Sequence, residues 1–209
     1  MTDIRNKIDA QLIDVGTGNL HSVYNALIKS GHTIHITKDP EDLIKPGRFI
    51  MPGVGAFGSF MDGMKKLNMI EAVKEVSKRG DPLLGICVGM QALFDYSEEK
   101  GHNPGLSLIP GKVLRFPDFQ NRKVPHTGWN QLWQKKHDKF TRSINDGSYA
   151  YFNHSYFCEP QNKENVILYT DYGIDFCSAV NHENIYGVQF HPEKSQQIGK
   201  TILNNFFMI

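Results

Sequence analysis

One cysteine in the chain stands where a nucleophile could. In Gly85-Ile86-Cys87-Val88-Gly89 it has a glycine two residues to either side. The apolar Leu83, Leu84 and Ile86 predict a buried strand ahead of it, and Val88 to Phe94 has the composition of a helix start. A sharp strand-to-helix turn leaves no room for side chains at the flanking positions, so glycine is needed there. Such a turn lifts the nucleophile over the end of the sheet. It also sets the sulfur at the N-terminus of the next helix, whose free N–H groups and dipole favour thiolate. A buried core cysteine is the competing reading of the same residue.

A catalytic cysteine needs a base within hydrogen-bond reach, and the base needs a third group to fix its tautomer. His191 is the candidate base, in Gly187-Val188-Gln189-Phe190-His191-Pro192-Glu193. Pro192 disfavours helix at His191 and predicts an extended segment, in which residues two apart share a side. Glu193 is thereby expected beside His191, accepting a hydrogen bond from its second ring nitrogen. Attack on a carboxamide also places charge on its oxygen, which needs backbone donors already aimed at it. Val88, the residue after the nucleophile, supplies one such N–H. A second is expected from Pro52-Gly53-Val54-Gly55, at Val54 and Gly55, where glycines allow close approach and unusual backbone angles. Rotation of the Gly53–Val54 peptide would leave the oxyanion site incomplete at rest. His32 and His35 face opposite sides of a predicted strand and make a poor metal pair.

The elements that must position these groups follow from hydrophobic period. Ala10 to Val15 predicts a first strand, Gly16 to Asn19 a tight turn with Asn19 as helix N-cap, and Leu20 to Ile28 a helix closed by Gly31. Strand (32–37), short helix (40–44), strand (48–51) and a helix on Met69, Ile70, Val73 and Val76 lead to the elbow strand. This alternation predicts a mostly parallel sheet covered by helices. After Gly101 short β-rich runs (112–116, 129–133, 149–152, 166–170, 176–180, 186–190) predict an antiparallel extension, and Ile198, Ile202, Leu203 and Phe206 a closing helix. The expected class is α/β, as one domain over residues 1–209.

Composition excludes several functions. The net charge of +1 is spread without basic clusters, which argues against a nucleic-acid or membrane-surface partner. Cys87, Cys158 and Cys177 are odd in number and widely spaced, which argues against a disulfide framework or zinc site. Met1 to Lys7 lacks a signal peptide's apolar core, and no apolar run is long enough to span a bilayer. A soluble cytoplasmic protein is expected. The Gly16-Thr17-Gly18-Asn19 turn carries only a fragment of a dinucleotide fingerprint.

With these pieces assembled, the sequence resembles the class I glutamine amidotransferases. Gly85 to Gln91 matches the family's nucleophile motif, and Gly187 to Glu193 its His/Glu motif. Within the class it is similar to the glutaminase subunits of histidine biosynthesis, through Ile13 to Leu20, Pro52 to Gly55, Lys123 to Asn130 and Tyr151 to Tyr156. The resemblance implies a γ-glutamyl thioester on Cys87, with His191 as acid and base and Glu193 as its orienter. It implies glutamine held by Gly55, Gln91, Glu99, Ser155 and Tyr156. It implies that Pro125, His126, Trp129 and Asn130 lie toward a (β/α)₈ cyclase partner, which would receive ammonia and make imidazole glycerol phosphate and AICAR. No metal or cofactor is required. Other ammonia-supplying glutaminases (pyridoxal phosphate, anthranilate or purine pathways), a stand-alone γ-glutamyl hydrolase and a non-catalytic binding module are the alternatives.

Overall fold

Ala10–Ile13 (β1) opens the sheet, and Leu20–Lys29 (α1) carries the chain over to Ile34–Thr37 (β2). The computed structural model describes residues 8–17 and 20–209. The predicted cap at Asn19 lies outside them. A 3₁₀ turn at Pro40–Leu43, capped by the Asp39 carboxylate accepting from Glu41 N, leads to Phe49–Gly53 (β3). Phe57–Lys66 (α2) and Met69–Lys78 (α3) then precede Leu83–Cys87 (β4).

From β2 the sheet order is β2-β1-β3-β4, all parallel, and Ile185–Val188 (β13) continues it beside β4. Every residue of β3, β4 and β13 is buried, the pattern of strands covered on both faces. Helices α1 and Gln196–Phe207 (α5) both pack on the 3₁₀ turn Pro192–Lys194, while α2 and α3 pack together. Right-handed crossovers leaving β1 and β3 in opposite directions put these two groups on opposite faces.

Hydrophobic period predicts no helix over Phe57–Lys66, because Gly58 and Gly63 depress helix propensity there. Packing overrides it. Phe57, Phe60 and Met64 are fully buried on one face, each contributing about 1.5–3 kcal/mol. Gly63 is required by contact: a Cβ there would lie 2.3 Å from the Val15 carbonyl oxygen.

The second half of the sheet is antiparallel, as expected. Asp175–His182 (β12) pairs with β13 on one side and with Tyr156–Pro160 (β10) on the other. Ile109–Arg115 (β7), Phe94–Ser97 (β5) and Asn103–Pro104 (β6) complete that edge. Val166–Asp171 (β11), His126–Gln134 (β8) and Ser148–His154 (β9) branch from β12 as a second ribbon, with Val188 of β13 opposite Ala179 at its root. Strands β5 and β10 go beyond the β-rich runs legible in the sequence. Among the described residues no helix is long and apolar enough to cross a membrane.

Candidate active site

Cys87 ends β4 with φ 55° and ψ −110°, a conformation that costs a non-glycine residue about 1–3 kcal/mol and persists only where neighbours hold it. They do. A Cβ on Gly89 would fall 1.8 Å from the Met51 carbonyl oxygen, and one on Gly85 2.6 Å from the Gly89 carbonyl oxygen. The elbow glycines are thus fixed by backbone approaching backbone. The helix after the elbow is shorter than the sequence suggests. It is one turn, Val88–Gln91 (α4), because Phe94 leaves to pair with Ile109. The sulfur therefore sits over the free N–H groups of a turn rather than a long dipole.

Strands β4 and β13 are parallel neighbours with Ile86 opposite Val188, so the chain segments leaving their ends enter the same space. His191 arrives there with φ −95° and ψ 98°, extended as the following proline requires. Its N–H donates to the Tyr151 carbonyl (2.8 Å), and its carbonyl accepts from Ser195 Oγ (2.7 Å). Ser195 Oγ in turn accepts from Tyr151 N (3.0 Å), which locks the segment to β9. Glu193 reaches the ring through the Pro192–Lys194 turn rather than along an extended strand, and its Oε1 accepts from His191 Nδ1 at 2.9 Å. Both side chains are buried, at 4% and 1% exposure.

Nε2 is left for the hydrogen bond between His191 and Cys87. Burial by itself lowers the imidazole's proton affinity, but bonding to Cys87 and to Glu193 outweighs it and raises the pKa to about 10. This is the electrostatic signature of an imidazolium placed between two groups that carry or develop negative charge. Cys87 is itself buried, but it borders a cleft of about 420 Å³ and is not enclosed by hydrocarbon.

The cleft brings together Cys87 and His191 with the expected Val54, Gly55, Val88, Gln91, Glu99, Ser155 and Tyr156. Gly55 has φ +90°, and a Cβ there would meet nothing within 4 Å, so backbone conformation alone selects glycine. Gly53 differs: a Cβ would meet Phe60 and the Gly89 nitrogen at 2.7 and 2.8 Å. Room for a peptide to turn lies at Gly55 rather than Gly53. Glu99 Oε2 accepts from Phe57 N at 2.7 Å, which ties the start of α2 to the cleft.

The residues expected to face a partner divide. Trp129 is 46% exposed, and Pro125 lines the mouth of the cleft. His126 is a correction: it is 3% exposed, stacked between Phe152 and Tyr172 and turned away from any partner. Asn130 donates to the Asp171 carbonyl (2.9 Å). Sequence reasoning missed Gln189, His154 and Lys194. Gln189 donates from Nε2 toward Cys87 Sγ (3.8 Å), and its position two before His191 on an extended run was the available signal. Among the described residues no group of three or more His, Cys, Asp or Glu could hold a metal ion.

Strand, elbow and buried His–Glu pair together define a class I glutamine amidotransferase. The family model described as glutamine amidotransferase class-I matches residues 11–209, and the chain belongs to that family. A solved structure titled as a glutamine amidotransferase superposes with a TM-score of 0.74 over 96% of this chain and 97% of its own, at 17% identity. PurLQS from Thermotoga maritima superposes at 0.69 over 95% and 97%, also at 17% identity, and these two likenesses show the fold.

The sequence relatives are more particular. Imidazole glycerol phosphate synthase subunit HisH of Syntrophotalea carbinolica is 43% identical over 200 residues, covering 93% of this chain and 97% of the relative. The subunit of the same name from Moorella thermoacetica is 44% identical over 195 residues, covering 93% and 92%. Within its class the chain groups with these HisH subunits, and it is a glutaminase that hydrolyses glutamine.

Proposed function

We propose that Cys87, His191 and Glu193 act as the triad of this glutaminase and that the ammonia released is delivered to a cyclase subunit. The observation that carries the first half is the hydrogen bonding of His191 to Cys87 on one side and to buried Glu193 on the other. The thiolate attacks the glutamine side-chain carbonyl, and the N–H groups of Val88 and of the Val54–Gly55 segment receive the oxyanion. His191 protonates the departing ammonia, leaving a γ-glutamyl thioester on Cys87. It then takes a proton from water, which attacks the thioester and releases glutamate. Glu193 keeps the imidazole in the tautomer with its proton on Nδ1 and stabilises the imidazolium. Gly55, Gln91, Glu99, Ser155 and Tyr156 hold the amino-acid end of the substrate.

The second half rests on the relatives, which are named as subunits of a synthase. The partner is a (β/α)₈ cyclase that joins ammonia to phosphoribulosyl-formimino-AICAR phosphate, giving imidazole glycerol phosphate and AICAR. Pro125 and exposed Trp129, beside the cleft, form the docking side. Co-expression with the cyclase tests both halves. Complex formation is expected, with glutamine-dependent product formation lost in Cys87→Ala and restored by ammonium salts. Hydrolysis of free γ-glutamyl peptides without any bound partner would support the stand-alone hydrolase instead.

A further inference from the structure

Two buried histidines that the triad chemistry does not use lie in one line of hydrogen bonds ending at the nucleophile. His126 and His154 sit directly opposite each other on β8 and β9. His126 Nδ1 is 3.0 Å from His154 Nε2, and His154 Nδ1 is 2.8 Å from the Tyr156 carbonyl oxygen. A carbonyl can only accept, so His154 Nδ1 carries a proton. Both rings are neutral: burial, and then Arg122, lower His126 to about 4, and burial lowers His154 to about 3. His154 Nε2 must therefore accept, and His126 Nδ1 must donate. His126 Nε2 is left to accept from Asn130 Nδ2 at 3.3 Å. Every tautomer in the row is fixed by that one carbonyl.

The same carbonyl takes a second hydrogen bond, from Gln91 Nε2 at 3.0 Å. The other proton on Gln91 Nε2 goes to Gln189 Oε1 (3.1 Å), and Gln189 Nε2 points to Cys87 Sγ (3.8 Å). Gln91 therefore has both N–H donors committed inward, and its remaining polar atom, Oε1, is an acceptor. Glu99, with one carboxylate oxygen on Phe57 N, supplies acceptor character to the same cleft. Two acceptors there match the α-ammonium group of an amino acid.

We infer that His126 and His154 are positioning residues for glutamine: by donating in series to the Tyr156 carbonyl they fix the Gln91 amide with its oxygen toward the substrate's α-ammonium group. The inference rests on the triad reading and deepens its substrate site. Without the histidines, the Tyr156 carbonyl loses one of two donors and the peptide can turn, freeing Gln91 to present N–H groups to a cation. Aromatic packing around the pair, with Phe116 and Phe176 each within 5.3 Å of the His154 ring centroid, lets phenylalanine replace either imidazole by shape.

The test compares glutamine with glutaramic acid, which is glutamine without its amino group. Each is used to protect Cys87 against iodoacetamide, with labelling read by mass spectrometry on wild type, His154→Phe, His126→Phe and His154→Asn. Asparagine keeps a donor where Nδ1 was. His154→Phe is expected to weaken protection by glutamine about tenfold, the scale of one hydrogen bond to a charged group, and to leave protection by glutaramic acid unchanged. His126→Phe should shift it in the same direction by less, and His154→Asn should recover part of the loss. Equal losses for both ligands, or none for either, would overturn the inference while leaving the triad standing. If glutamine fails to protect wild-type Cys87, the triad reading falls and this inference falls with it. Should His154→Phe not fold, the His126→Phe comparison decides by the same criterion.

Discussion

His191 Nδ1 lies 2.9 Å from Oε1 of Glu193, a carboxylate with a side chain only 1% exposed. Removing the charge while keeping the shape isolates what this pair contributes. Glu193→Gln is expected to lower kcat by about 10²–10⁴-fold, because the amide can present a donor to Nδ1 and favour the wrong tautomer. The KM for glutamine should change far less, since Glu193 lies behind the ring. Steady-state kinetics of the complex with its cyclase measures both.

The same pair sets a pH dependence of stability. His191 is raised from 6.5 to about 10 in the fold, bonding to Cys87 and Glu193 outweighing burial. A folded pKa above the unfolded one means the native state binds the proton more tightly. The contribution is fully present below pH 6.5 and is lost as pH rises through about 10. Urea unfolding of wild type and Glu193→Gln across that window should show the wild type falling more steeply. Parallel curves would refute the ion-pair account.

His126 and His154 predict the opposite limb. Both are lowered from 6.5, to about 4 and about 3, burial being the largest cause in each. The unfolded chain therefore takes up protons first as the solution is acidified. Their contribution is present above pH 6.5 and is lost as pH falls toward those folded values. Replacing both by phenylalanine should flatten the loss of stability between pH 6.5 and 4, measured by the same titration.

The elbow glycines give a contrast in packing. Gly89→Ala would drive a Cβ to within 1.8 Å of a main-chain oxygen that cannot move aside, and a loss of about 3 kcal/mol or more is expected. At Gly47 the nearest atoms are in the Phe49 ring at 3.6 Å and φ is unrestricted, so Ala there should change stability by no more than about 1 kcal/mol, in the stabilising direction. Thermal unfolding of the two variants compares them directly.

Trp129 is 46% exposed and touches Tyr151 edge-on at 6.0 Å between ring centroids. Trp129→Ala should leave the melting temperature of the isolated chain nearly unchanged. It should weaken binding of the cyclase about tenfold or more, as truncation of an exposed interface tryptophan does. Calorimetric titration of the partner reads this. Unchanged affinity would remove Trp129 from the docking side.

Local sequence determined the parts of this protein that depend on short-range geometry. The spacing of Gly85, Cys87 and Gly89 encodes a turn too tight for side chains. Pro192 keeps His191 extended, and the strand–helix alternation before Gly101 dictates a parallel sheet because each apolar face must be covered. Tertiary structure alone decided where helix gives way to strand after the elbow, since Phe94 pairs with Ile109 against its own helical composition. It also made a helix of the glycine-weakened 57–66 stretch, through the burial of three side chains. Most of all, it turned His126 inward onto His154. A ring on a strand can face solvent or core with the same neighbours in sequence. Which face it takes depends on the aromatic walls contributed by strands distant along the chain, and no local pattern records those.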